Sequence, residues 1–142
     1  QARRRAISLE EKMGFLAKLF GSNKVVQPVS VNDSNFRKEI IESDVPVLLD
    51  IWSDSCVPCK KLEPIIMDLA QRYEGRLKVA ELHPERGPQT MARLGVRGTP
   101  TVIYFKEGRE VERVVGFRGS LYHSEFIDHE LLDPPAAVAA VG

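Results

Sequence analysis

The sequence predicts an α/β domain in which helices cover both faces of a central mixed sheet of about five strands. Three observations carry this expectation. Val47 to Trp52 and Thr101 to Phe105 are nearly continuous apolar runs, as strands buried on both faces are. Between them Leu62, Ile65, Ile66, Leu69 and Tyr73 recur at helical spacing. Strand and helix patterns alternate until Lys106-Glu107-Gly108-Arg109, where a hairpin signal adds antiparallel pairing at the sheet edge.

Size and charge bound the answer. The chain has 142 residues, which suits one domain with one modest core. Its formal net charge is zero, so nothing draws the whole chain to nucleic acid or to anionic lipid. No stretch approaches the roughly 20 apolar residues of a membrane span. The expected division is an N-terminal extension over 1–24, a domain over 25–133 and a frayed tail over 134–142, in a monomer whose charged edge strand opposes open-ended sheet growth.

In the extension, Ser8 and Glu11 form a capping-box pattern, and Leu9, Met13, Leu16, Leu19 and Phe20 form an apolar stripe on one helix face. With Arg3, Arg4 and Arg5 before it, this segment is a candidate peripheral membrane contact. Lys18 interrupts the apolar run and no small-residue cleavage site follows, which argues against a signal peptide; Met13 is an alternative start. Val25, Val26 and Val29 suggest a short first strand. Asn32-Asp33-Ser34-Asn35 is rich in cap formers, and Phe36, Ile40 and Ile41 share a helical face. Val47 to Trp52 is the central strand. Pro58 is tolerated near the start of the following helix, where no donor N–H is needed, and Pro64 predicts a kink inside it. Leu77, Val79 and Leu82 read as the next strand. A turn at His83-Pro84-Glu85-Arg86-Gly87-Pro88 precedes a short helix over Gln89 to Leu94, closed by Gly95. Thr101 to Phe105 is a core strand, and Gly108 can take the positive φ of the hairpin turn. Glu110 to Val115 returns as an edge strand, with Val111 and Val115 expected inward, the side of Val114 left open, and Gly116 ending it. The last helix runs through Leu121, Phe126, Ile127 and Leu131.

The chemistry lies in Ser55-Cys56-Val57-Pro58-Cys59-Lys60, between the central strand and its helix. These are the only two cysteines. A helix N-terminus exposes N–H groups that favour a thiolate, so the pair suggests reversible dithiol–disulfide exchange. Two other readings are a pair of inert buried thiols and half of a metal site. A structural zinc needs about four ligands, and His83, His123 and His129 form no second paired knuckle. The histidines receive no catalytic role.

Taken with its surroundings, this motif resembles the thioredoxin family over roughly Val25 to Leu132. Asp50-Ile51-Trp52-Ser53-Asp54-Ser55-Cys56-Val57-Pro58-Cys59-Lys60 resembles the family's Asp-Phe-Trp-Ala-x-Trp-Cys-Gly-Pro-Cys-Lys, and Val96-Arg97-Gly98-Thr99-Pro100-Thr101 resembles its Ile-Arg-Gly-Ile-Pro-Thr. Pro64, Gly108 and Gly116 also fall where the family has them. The resemblance implies a thioredoxin fold and a cytoplasmic protein-disulfide reductase. It implies Cys56 as attacking thiolate, Cys59 as resolving thiol, Asp50 as the buried carboxylate serving Cys59, and Pro100 as a cis proline. Trp52, Val57, Pro58, Thr99, Pro100 and Gly116 would then meet substrate, with the Thr99 backbone pairing to an extended strand. Lys60 is a candidate modulator, through its charge. The implied partners are disulfide-containing proteins and a thioredoxin reductase or other dithiol donor. No nucleotide-binding glycine fingerprint or second redox centre appears, so the redox couple is the cysteine pair alone, with no bound cofactor, restored from outside.

Three residues depart from the family pattern. Ser55 stands where tryptophan is usual and removes an apolar contact beside Cys56. Val57 replaces glycine; certain periplasmic thioredoxin-like proteins share Cys-Val-Pro-Cys but carry a helical insertion absent here. Glu81 occupies the position of a lysine near the buried aspartate, where a like charge raises a carboxylate pKa, and is a second candidate modulator. Two further functions stay open: an extracytoplasmic thiol oxidant or isomerase, and a redox-regulated adaptor with little turnover.

Overall fold

A computed structural model describes residues 8–12 and 25–133 of the chain. The expectations for Met13 to Gly21, and for the tail from Pro134, lie outside the described residues. Within 8–12 the capping box is formed: Ser8 Oγ accepts from the Glu11 N–H at 3.2 Å, and Glu11 Oε2 accepts from the Ser8 N–H at 3.1 Å.

Five strands, β1 (Val29–Ser30), β2 (Val47–Ile51), β3 (Lys78–Leu82), β4 (Thr101–Lys106) and β5 (Arg109–Val115), form one sheet in the order β1-β3-β2-β4-β5. β3 runs parallel to both β1 and β2, while β4 is antiparallel to β2 and β5. The sheet is therefore mixed, and β2 is its central strand. Every residue of β2 is buried.

Helices α1 (Val57–Arg72) and α3 (Ser120–Phe126) cover one face, and α2 (Pro88–Leu94) lies on the other. Side-chain alternation along the strands separates two cores. Leu48, Val79, Val102 and Tyr104 pack with Leu62, Ile66 and Leu69 of α1. Leu49, Ile51, Ala80, Leu82 and Ile103 pack with Val31, Ile40 and Met91 on the opposite face. Leu82 thus faces away from Val79, because β3 is interior and both its faces need apolar residues.

Several local expectations are corrected. The first strand is only Val29–Ser30; Val25 is exposed, and Pro28 brings no N–H to a ladder. The segment expected to be an ordinary helix around Phe36 to Ile41 is a π-helical turn over Arg37–Ile41, and α3 likewise continues into a π-helical turn over Ile127–Leu131. In β5, Val114 is the buried valine, whereas Val111 and Val115 are 48% and 73% exposed. Val114 pairs with Val102 on the α1 face, and Val111 is the extra residue of a bulge beside Tyr104 and Phe105. In α3, Leu121 is exposed and His123 is buried instead, its Nδ1 2.6 Å from the Tyr104 hydroxyl.

The connections are tied as their residues suggest. Asn32 Oδ1 accepts from the N–H groups of Ser34 and Asn35, at 2.8 and 3.0 Å. Asp33 reaches across to the start of α2, where Oδ1 accepts from the Thr90 N–H at 2.8 Å and Oδ2 from the Gln89 N–H at 3.2 Å. The hairpin turn places Glu107 at φ 53° and Gly108 at φ 77°. A Cβ at Gly108 would sit 2.9 Å from the Ile41 carbonyl oxygen, so both conformation and space require glycine there.

Candidate redox site

β2 ends at Ile51, and the chain turns through Trp52 to Ser55 before α1 begins. The last ladder bond is from the Trp52 N–H to the Leu82 carbonyl, at 3.2 Å. Ser55 takes φ 60°, a left-handed conformation uncommon outside glycine, directly before Cys56. Cys56 is the N-cap of α1, with Val57 and Pro58 as its first two residues. Cys56 and Cys59 are joined as a disulfide, and Cys56 Sγ accepts from the Cys59 N–H at 3.2 Å. Cys56 is partly exposed and Cys59 is buried. This asymmetry follows from the helix: one turn carries Cys59 inward, against the sheet.

Three consecutive side chains hold the turn. The Trp52 indole N–H donates to Glu81 Oε2. Ser53 Oγ and Thr99 Oγ1 lie 2.6 Å apart. Asp54 Oδ2 is 2.9 Å from His83 Nε2. The Glu85 N–H donates to His83 Nδ1 at 3.2 Å, so the neutral ring carries its proton on Nε2 and donates it to Asp54. The His83 ring also stands edge-on to Trp52, with centroids 4.8 Å apart. Residue type and spacing alone do not mark His83, Asp54 or Ser53 as site residues. With Ile51 opposite Leu82 in a parallel pair, the residues after both strands meet, a relationship set by the register and not by residue type.

The Thr99–Pro100 peptide bond is cis. The Gly116 N–H donates to the Pro100 carbonyl at 2.9 Å, which seats the end of β5 against this bond. Thr99, Pro100 and Gly116 are therefore brought together, and Ser53 links them to the cysteine turn. Val57 is 62% exposed and Pro58 is also exposed.

Beneath the disulfide lies a cleft of about 450 Å³, walled in part by Asp50, Trp52, Cys59, Lys60 and Glu81. Asp50 and Glu81 are direct neighbours across β2 and β3, both on the face covered by α1. Asp50 is 7% exposed and its Oδ1 has no hydrogen-bond partner. Burial first, then the charges of Glu81 and Glu63, pushes its pKa up to about 7. Glu81 also meets the Arg86 guanidinium at 3.5 Å. Asp50 and Cys59 line the same cleft, and a carboxyl group whose pKa is raised towards neutrality is the kind that can take up or give up a proton there.

The thioredoxin family model matches residues 27–128. Thioredoxin 1 of Nostoc sp. is 43% identical over 86 residues, which cover 61% of this chain and 80% of that protein. Thioredoxin of Rickettsia conorii is 39% identical over 89 residues, 63% of this chain and 85% of its own. Thioredoxin M-type, chloroplastic, of Spinacia oleracea is 37% identical over 95 residues, 67% of this chain and 52% of its own.

Proposed function

From its place in the thioredoxin family, to which this chain belongs, we propose that the protein is a thiol–disulfide oxidoreductase that reduces protein disulfides. That Cys56 and Cys59 form a redox-active dithiol/disulfide couple follows from the family and the bridge. The observation that carries the finer reading is the asymmetry of the pair, with Cys56 open at a helix N-cap and Cys59 buried above Asp50.

In this reading the Cys56 thiolate attacks one sulfur of a substrate disulfide. The Cys56–substrate bond forms, the substrate bond breaks, and the second substrate sulfur leaves as a thiolate that takes a proton. Cys59 then loses its proton to Asp50 and attacks Cys56 Sγ. The Cys56–Cys59 bond forms as the substrate's other thiol leaves, so two electrons have passed to the substrate. A thioredoxin reductase or another dithiol donor reverses the bridge. Trp52, Val57, Pro58, Thr99, Pro100 and Gly116 present the surface that receives the substrate strand. Lys60 and Glu81 adjust the charge around Cys59 and Asp50. The cytoplasm, a reducing compartment, is the setting we assign, with an N-terminal extension over 1–24, the working domain over 25–133 and a tail from 134.

The test is reduction of a protein disulfide by the reduced chain, with and without thioredoxin reductase and its reductant. Cys56→Ser should abolish turnover, and Cys59→Ser should accumulate the mixed disulfide. Full turnover by Cys56→Ser overturns the reading. A Cys56–Cys59 potential well above that of the glutathione pool would reverse the direction and make the protein an oxidant.

A further inference from the structure

We propose that His83 is a positioning residue for the attacking sulfur: its Nε2–H holds the Asp54 carboxylate away from Cys56 and ties down the turn that delivers that sulfur. This rests on the reading of Cys56 as the exposed, attacking member of the redox couple.

The ring is aimed by its surroundings. His83 directly follows the last residue of β3 and is buried. The Glu85 N–H donates to Nδ1 at 3.2 Å, which leaves the proton of the neutral ring on Nε2. Trp52 stands edge-on, with centroids 4.8 Å apart, and limits rotation of the ring. Nε2 then lies 2.9 Å from Asp54 Oδ2. Asp54 is the one charged side chain bonded to the ring among the described residues. Glu85 meets the ring through its backbone, and Glu81 is engaged by the Trp52 indole and by Arg86.

The other end of this contact lies two residues before Cys56. The Asp54 side chain is 76% exposed, and the bond to His83 is its one hydrogen bond among the described residues. A carboxylate free to rotate so close in the chain repels a thiolate and makes the thiol harder to ionise. The bond to Nε2 turns that charge towards the loop after β3. Cys56 instead caps α1, where its Sγ accepts from the Cys59 N–H.

The backbone gives a second reason. Ser55, between Asp54 and Cys56, sits at φ 60°, a conformation that a residue with a side chain keeps only when its surroundings hold it. Ser53 is tied to Thr99 and Asp54 to His83, so the two residues before Ser55 are anchored on two different loops. His83 acts through Asp54 and is bonded to neither cysteine. Its effect is a larger thiolate fraction on Cys56, in whichever direction the couple runs.

The experiment measures iodoacetamide labelling of the reduced full chain from about pH 5 to about pH 9 at low salt, with the Cys56 and Cys59 peptides counted separately by mass spectrometry. His83→Leu keeps an apolar contact for Trp52 and removes the donor. It should move the Cys56 profile to higher pH and slow labelling about threefold on the acid limb, the effect of one charge about 7 Å away in water-like surroundings. His83→Gln, whose amide N–H reaches the same carboxylate, should keep the wild-type profile. Asp54→Asn alone should change it by less than about twofold, because it keeps an acceptor for Nε2 and removes a charge already held away. Combined with His83→Leu, it should cancel the threefold loss. An unchanged profile in His83→Leu, a His83→Gln variant that behaves like His83→Leu, or a loss that survives in the double variant overturns the proposal. So does an Asp54→Asn shift of threefold or more towards lower pH; Asp54 is exposed, so this variant decides whether or not His83→Leu folds. Faster labelling of Cys59 than of Cys56 in the wild type would overturn the underlying reading of Cys56, independently of His83.

Discussion

Ser53 and Thr99 meet hydroxyl to hydroxyl at 2.6 Å, 46 residues apart in the chain. This one bond joins the turn that delivers Cys56 to the residue before the cis bond at Pro100. Together with Trp52 on Glu81 and Asp54 on His83, it holds the turn by side chains after the β2–β3 ladder has ended.

The Ser53–Thr99 pair should therefore be energetically coupled. Ser53→Ala and Thr99→Val should each cost about 1 kcal/mol, and the double variant should cost less than their sum by about 0.5–1 kcal/mol. Urea unfolding of the four proteins measures this. Strict additivity would show that the bond contributes nothing.

The reduced cysteines should differ in reactivity. Cys56 is partly exposed at the N-cap of α1, while Cys59 is buried. Cys56 should ionise first and be alkylated first by iodoacetamide at neutral pH. Peptide mass spectrometry after brief labelling reads the order, and faster labelling of Cys59 would reverse the two roles.

Asp50 should make stability fall as pH rises. Its pKa is pushed from 3.8 to about 7, by burial first and then by Glu81 and Glu63. The unfolded chain releases this proton more readily, so the contribution is fully present below about pH 4 and is lost as pH rises through about 7. Asp50→Asn should gain roughly 4 kcal/mol over the wild type at pH 8, relative to their difference at pH 4. Glu81→Lys should lower the Asp50 pKa, and Glu81→Gln should lower it less. Carboxyl NMR titration decides, since an Asp50 pKa indifferent to Glu81 contradicts the coupling.

His123 should act in the opposite sense. Burial lowers its pKa from 6.5 to about 4. The unfolded chain binds the proton first, so this contribution is full above about pH 6.5 and is lost as pH falls towards 4, by about 3 kcal/mol in total. His123→Gln does not titrate and should remove that acid limb, at a cost in stability at pH 7. A wild type and variant with parallel stability curves between pH 7 and 4 would exclude the effect.

The sequence by itself determined the order of the elements, the central strand, the placement of both cysteines at a helix start and the Glu107–Gly108 turn. These rest on short-range physics: apolar period, capping residues and the φ that glycine permits. Motif resemblance added the family and an Asp50–Glu81 meeting that the register then placed on one face. Other relationships were decided by tertiary structure alone. In β5 the register with β4 turns Val114, opposite Val102, to the core under α1 and Val115 to the other face, while Val111 is set out as a bulge residue. Parallel pairing of β2 and β3 brought Asp54 to His83, and antiparallel pairing of β2 and β4 brought Ser53 to Thr99. Such contacts depend on which strands are neighbours and in what register. A one-residue shift turns a side chain to the other face, so residue types alone do not specify the partners.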